Sequence, residues 1–191
     1  MTGRTHDLAA FTALNYVIIS QPLHEFSLAT AIAALSANLI GGLAPDIDQS
    51  TGELWRRIPV GTFVGKLIAP LFGGHRFLSH SLVGLVLFGL GLNYLLKAMS
   101  TVLLVDMTVV WGAFMIGFFS HLIMDTLTRE GVPWLFPIPI RFGFPPFRQY
   151  RVKTGGLIEK VIIFPGLLLA NGYMYYNYYP KFLSFLHHYV K

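Results

Sequence analysis

The chain has 191 residues, of which 54% are hydrophobic and only 12% charged, and its mean hydropathy is +0.58. Charged residues approach a quarter of a typical soluble domain, so this composition argues for a polytopic membrane protein in a single domain spanning residues 1–191. The absence of cysteine excludes disulfides and thiolate metal ligands, which leaves imidazole and carboxylate as donors, and the net charge of +5 is explained below without nucleic acid.

The apolar runs, in chain order, are Leu8 to Ile19, Phe26 to Ala44, Leu82 to Leu96, Val102 to Phe119 and Val161 to Tyr179. Several fall short of the roughly 20 residues that a perpendicular span needs, so flanking residues or local thinning must complete them. No small-residue cleavage pattern follows Ile19, so the first run is read as a retained helix rather than a signal peptide. Ile58 to Gly73 and Val132 to Phe147 are apolar but broken by Pro, Gly and Arg, and read as interfacial or re-entrant pieces. The expected fold is therefore all-α, a membrane helix bundle of about five spans with interfacial segments.

Basic residues cluster between the second and third runs (Arg56, Arg57, Lys66, Arg76) and between the fourth and fifth (Arg129, Arg141, Arg148, Arg151, Lys153, Lys160). The positive-inside rule then places both loops and the N-terminus in the cytoplasm and the C-terminus outside, in the inner membrane of a cell. Topology accounts for the basic charge, so no nucleic-acid partner is expected. The bilayer is the expected partner.

This threading brings His6, Asp46, Asp48, His75, His80, His121, Asp125 and Glu159 to one membrane face. His121 and Asp125 are four residues apart, which on a helix sets imidazole and carboxylate on one side, able to grip one ion. Asp46 and Asp48 repel unless a cation separates them, and a turn or cap role competes for that pair. Each signal is weak alone; their shared side points to a metal site at the cytoplasmic face. Mixed imidazole and carboxylate donors suit zinc or manganese, zinc being favoured by the histidine count, with one to three ions. The metal candidates are His6, Asp46, Asp48, His80, His121 and Asp125. Asp106, inside an apolar run at the opposite end, reads as an interfacial or bundle-facing residue.

His6, the Pro-Asp-Ile-Asp run at 45–48, the His-Arg-Phe-Leu-Ser-His-Ser run at 75–81 and the Ser-His-Leu-Ile-Met-Asp-Thr-Leu-Thr run at 120–128, with Gly131-Val132-Pro133 and Pro137, resemble the YdjM-like family of membrane-bound metal-dependent hydrolases. Where the family usually carries Gly-Phe-Thr, this chain has Phe77-Leu78-Ser79, which keeps both histidines in register. That family is similar to zinc-dependent phospholipase C and P1-type nuclease, and the resemblance implies phosphoester hydrolysis, with a phospholipid or lipid-linked phosphate as substrate. Asp48, Glu159 and His75 are the candidate catalytic groups, the first two as proton acceptors. Arg76 and one of Arg148, Arg151 or Lys153 are candidates for the phosphate. The competing expectation is a non-catalytic membrane protein with a structural metal or a satisfied polar cluster. A carrier needs polar residues through the span, and these are limited here to Asp106, Asn38 and Asn93.

Overall fold

A computed structural model describes residues 1–21, 26–72 and 76–189. The first apolar run forms α1 (Gly3–Ser20) and the second forms α2 (Leu28–Leu43), which passes through Pro45 into a short 3₁₀ turn at Ala44–Asp48. Two short helices follow, α3 (Glu53–Arg56) and α4 (Gly61–Ile68), and then α5 (Leu82–Met99), α6 (Met107–Thr126) and α7 (Phe164–Tyr189). All regular structure among the described residues is helical, joined by two isolated backbone bridges, Thr128 to Val152 and Val132 to Phe142.

Each of the five expected runs carries one long helix, with shifted ends. Among the described residues three stretches are long and apolar enough to cross a membrane: Leu28–Asp48, Leu82–Met99 and Met107–Thr126. Polar residues set α1 and α7 apart, namely Arg4, His6 and Asp7 in α1 and Asn171, Asn177 and Lys181 among tyrosines in α7, which also kinks at Tyr178 ahead of Pro180. Val102 to Val105 stay outside α6 because Asp106 caps it, its carboxylate accepting from the Thr108 and Val109 backbone N–H groups. Asp106 is thus a helix cap, in keeping with its exclusion from the ligand set. The Ile58 to Gly73 stretch supplies α4, whose Phe63 and Leu67 are exposed beside Lys66. The Val132 to Phe147 stretch is an irregular loop with Leu135, Ile138 and Phe144 exposed.

Helices in lipid gain nothing from hydrophobic exclusion between themselves, so close backbone approach and interhelical hydrogen bonds must hold them. Gly41 and Gly117 supply the approach: a Cβ at either would sit 2.1 Å from a carbonyl oxygen of the facing helix, Phe114 for Gly41 and Asn38 for Gly117. Any side chain there drives α2 and α6 apart. The Asn38 amide donates to the Ala113 carbonyl at 3.0 Å across the same seam. Phe114, Phe118 and Leu122 of α6, with Ala44 and Val132, fill the core beside it. Farther out, Asn15 and Asn171 tie α1 to α7 through a 2.7 Å hydrogen bond.

Candidate metal centre

The helices alternate in direction, so the start of α1, the end of α2, the start of α5 and the end of α6 share one end of the bundle. His6, Asp46, His80, His121 and Asp125 lie there. His121 occupies the penultimate turn of α6, one turn before Asp125, and both are buried. His80 precedes α5, whose first turn is capped by Ser81 accepting from the Gly84 N–H at 3.0 Å. That cap fixes where the chain leaves the loop and aims His80 inward.

The ring nitrogens are assigned by their partners. His121 Nδ1 donates to the Gly42 carbonyl oxygen at 2.7 Å, which leaves Nε2 with its lone pair toward the centre of the cluster. His80 Nδ1 lies 3.2 Å from Asp48 Oδ2, the carboxylate–histidine pairing that orients metal-binding imidazoles. The two Nε2 atoms face each other at 3.3 Å. Asp46 Oδ1 is 3.5 Å from His80 Nε2 and 3.7 Å from His121 Nε2, while Asp125 Oδ2 is 3.7 Å from each.

These separations test the donor set against an ion. Ligands held 2.0–2.1 Å from a tetrahedral zinc lie about 3.3–3.4 Å from one another, close to the spacings here. Among the described residues two trios bring one donor atom each to within 4.8 Å of one another: Asp46 with His80 and His121, at 3.3–3.7 Å, and His6 with His121 and Asp125. They share His121. His6 stacks on His121 with ring centroids 3.7 Å apart, its Nε2 is 3.3 Å from Asp125 Oδ1, and its buried Nδ1 has no hydrogen-bond partner among the described residues. The Met1 amino nitrogen lies 2.9 Å from His6 Nε2 and also pairs with Asp125. The donors are nitrogen and oxygen only, which fits zinc or manganese.

Protonation follows from the same contacts. Burial pushes the His80 imidazole down, but hydrogen bonds with Asp46 and Asp48 outweigh it and hold the pKa up at about 9. A proton or a cation between these groups relieves the facing lone pairs, and the two compete.

Not every expected residue joins the centre. Asp48 stands behind His80, its Oδ2 accepting from the Ser79 hydroxyl at 2.6 Å and the Arg76 N–H at 2.9 Å, so it orients the His80 imidazole and belongs to neither trio. Arg76 is buried rather than offered to a phosphate. Its Nη2 sits 2.6 Å from Asp125 Oδ2 and its Nη1 donates to Thr128 Oγ1 at 2.7 Å, with the backbone held at a φ of 57°. Glu159 is buried, its Oε1 accepting from the Thr2 N–H, the Thr2 hydroxyl and the Thr5 hydroxyl and its Oε2 from the Gly155 N–H. It ties the approach to α7 onto the start of α1. Those donors hold its carboxyl below the usual range although burial pushes it up. Arg151 donates to the Pro145 and Pro146 carbonyls at 2.7 and 2.8 Å and braces the Pro/Phe loop. Arg148 and Lys153 are exposed. His75 and His24 lie outside the described residues.

Ser79 and Thr128 lie inside the motifs quoted from the sequence, but the hydrogen bonds they make with Asp48 and Arg76, and the one the Gly42 carbonyl accepts from His121, were not read from it.

Comparison with known proteins shows the family. The family model described as "YdjM inner membrane protein" matches residues 1–183. The chain belongs to the YdjM family. It is 31% identical over 180 residues to the protein YvsG of Bacillus subtilis (strain 168), covering 92% of this chain and 95% of that one. The inner membrane protein YdjM of Escherichia coli (strain K12) is 33% identical over 137 residues, 63% of this chain and 66% of that one, and the Shigella flexneri YdjM matches to the same extent. No solved structure matches significantly. The YdjM homologues are inner membrane proteins, and the three apolar stretches of this chain suit a bilayer.

Proposed function

We propose that the chain is a metal-dependent hydrolase of the inner membrane that cleaves a phosphoester, its substrate a phospholipid or lipid-linked phosphate. One observation supports this above the rest: imidazoles from α6 and from the segment ahead of α5, with carboxylates from the ends of α2 and α6, converge within 3.3–3.7 Å at the polar end of an apolar bundle. Buried charge of this density inside a membrane protein marks function more often than stability.

Zinc, or manganese in its place, would be held by His80, His121 and Asp46 with Asp125 and His6 adjoining, and would supply an acidified water and a polarised phosphoryl oxygen. The chain's residues do the rest. Asp48 and the Gly42 carbonyl set the two imidazoles, and Arg76 holds the Asp125 carboxylate. Asp46 is 14% exposed where Asp48, His80, His121 and Asp125 are closed off, so it marks the way in. Arg148 and Lys153 are exposed cations able to meet an anionic head group.

The segments reaching this end carry Arg56, Arg57, Lys66, Arg129 and Arg141, which supports a cytoplasmic centre with the N-terminus inside and the C-terminus outside. A reporter fused after Lys191 is then exported, and cytoplasmic signal from it would reverse the orientation.

A structural metal is the second reading, favoured by the near-complete burial of four donors. His121→Ala separates the two. With catalysis, the variant reaches the membrane folded while metal and turnover of phosphatidic acid, phosphatidylglycerol and a chromogenic phosphodiester vanish together. With a structural metal, the wild type turns over none of these and the variant fails to assemble.

A further inference from the structure

The outer half of the bundle is built differently from the inner half. Near the metal centre α2 and α6 touch through Gly41 and Gly117, whereas a Cβ added at Gly112, five residues toward the start of α6, meets nothing within 4 Å. α2 and α6 stay joined there, the Asp106 N–H donating to Thr30 Oγ1 at 3.0 Å, and a cavity of about 510 Å³ lies between this pair and α1 and α7, lined by Ile18, Ile32, Gly112 and Ile116 among others. The Asn15 amide on its wall is turned to Asn171. A shallow open groove continues between α1 and α2 toward the metal-centre end, and Phe11 and Leu35 line both.

Together they form an apolar cleft along α1 from Arg4 to Gln21, roughly 25 Å at 1.5 Å of rise per residue. Its volume is that of a ligand pocket, and its apolar walls hold no water well. The cleft ends at Arg4 and Asp7. Asp7 is paired with Arg57, which leaves the exposed Arg4 as the uncompensated charge at the mouth among the described residues.

We propose that an anionic phospholipid binds here, its phosphate at Arg4 and one hydrocarbon chain in the α1–α2 cleft. A cation at the polar end and a hydrocarbon-lined trough at membrane depth match the two parts of such a molecule. The site faces away from the His6–His121 stack, so it stands or falls independently of hydrolysis at the metal centre.

Native mass spectrometry of the detergent-purified full chain, with phosphatidylglycerol or phosphatidylcholine added, tests this. One retained lipid per chain is expected, with a preference of about fivefold for phosphatidylglycerol, the value of one surface cation. Arg4→Gln should erase the preference and Gly112→Phe should remove retention. Circular dichroism reports whether each variant folds, and Ile116→Trp narrows the same cavity if Gly112→Phe does not. Phosphatidylglycerol with a photoreactive chain should label the wild type at Ile18, Ile32 or Ile116. Equal retention by wild type and a folded cavity variant, or labelling confined to α5, would overturn the proposal.

Discussion

His80 Nε2 and His121 Nε2 face each other across 3.3 Å while the Nδ1 of each is engaged elsewhere, one at Asp48 and one at the Gly42 carbonyl. Two imidazoles locked in this way present inward lone pairs that only a proton or a cation can satisfy. Much of the chemistry expected of this end of the bundle follows from that pair.

Asp48→Asn should expose the orienting role. The amide keeps the size of the carboxylate but weakens its hold on His80 Nδ1, and loss of such partners lowers metal affinity about 10–100-fold. Competition against a zinc chelator measures the change. Unaltered affinity would show that His80 needs no orienting carboxylate.

Arg76→Gln should destabilise the protein severely. It removes the guanidinium from the buried Asp125 carboxylate and leaves the Met1 amino group as its partner, so the cost falls at the lower end of the about 3–5 kcal/mol of a buried pair broken on one side. Thermal unfolding in detergent reads this out. A variant of wild-type stability that lost only turnover would return Arg76 to a phosphate-binding role.

Metal binding should strengthen as pH rises toward 9. Metal and proton compete for His80 Nε2, and the His80 pKa held at about 9 means that uptake at neutral pH expels a proton. Titration calorimetry in buffers of different ionisation enthalpy counts that proton. In metal-free protein the raised pKa has the opposite consequence for folding: the stability it gives is complete below the unfolded value of about 6.5 and is lost as pH rises through about 9.

Acid should loosen the junction of α1 with α7. The Glu159 pKa is depressed in the fold, so its contribution is present above the unfolded value of about 4.3 and disappears as pH falls through the lower folded value. Glu159→Gln should flatten that acid limb of the stability profile. An unchanged limb would mean that Thr2, Thr5 and Gly155 hold the junction without the charge.

What the sequence made legible was the set of helices and the end at which the ligands meet, because apolar run length and basic loops follow directly from bilayer physics. His6, Asp46, His80, His121 and Asp125, which the structure gathers into one cluster, were placed on one side by the threading, by the four-residue spacing of His121 and Asp125 and by the family's motifs. Their division of labour was not legible. Asp46 and Asp48 look equivalent two residues apart, and only the 3₁₀ turn at Ala44–Asp48 sends one to the ligand cluster and the other to Ser79 and the Arg76 N–H. Arg76 and Glu159 likewise look like surface charges beside Gly-rich loops, whereas their partners Asp125, Thr2 and Thr5 come from segments at least 49 residues away along the chain.

Elemental analysis of the purified full chain, with and without the His121→Ala substitution, bears most directly on the metal centre. At least one zinc or manganese per wild-type chain, lost from a folded variant, is the predicted result. Wild-type protein that carries no metal and takes up none at pH 8 would contradict it.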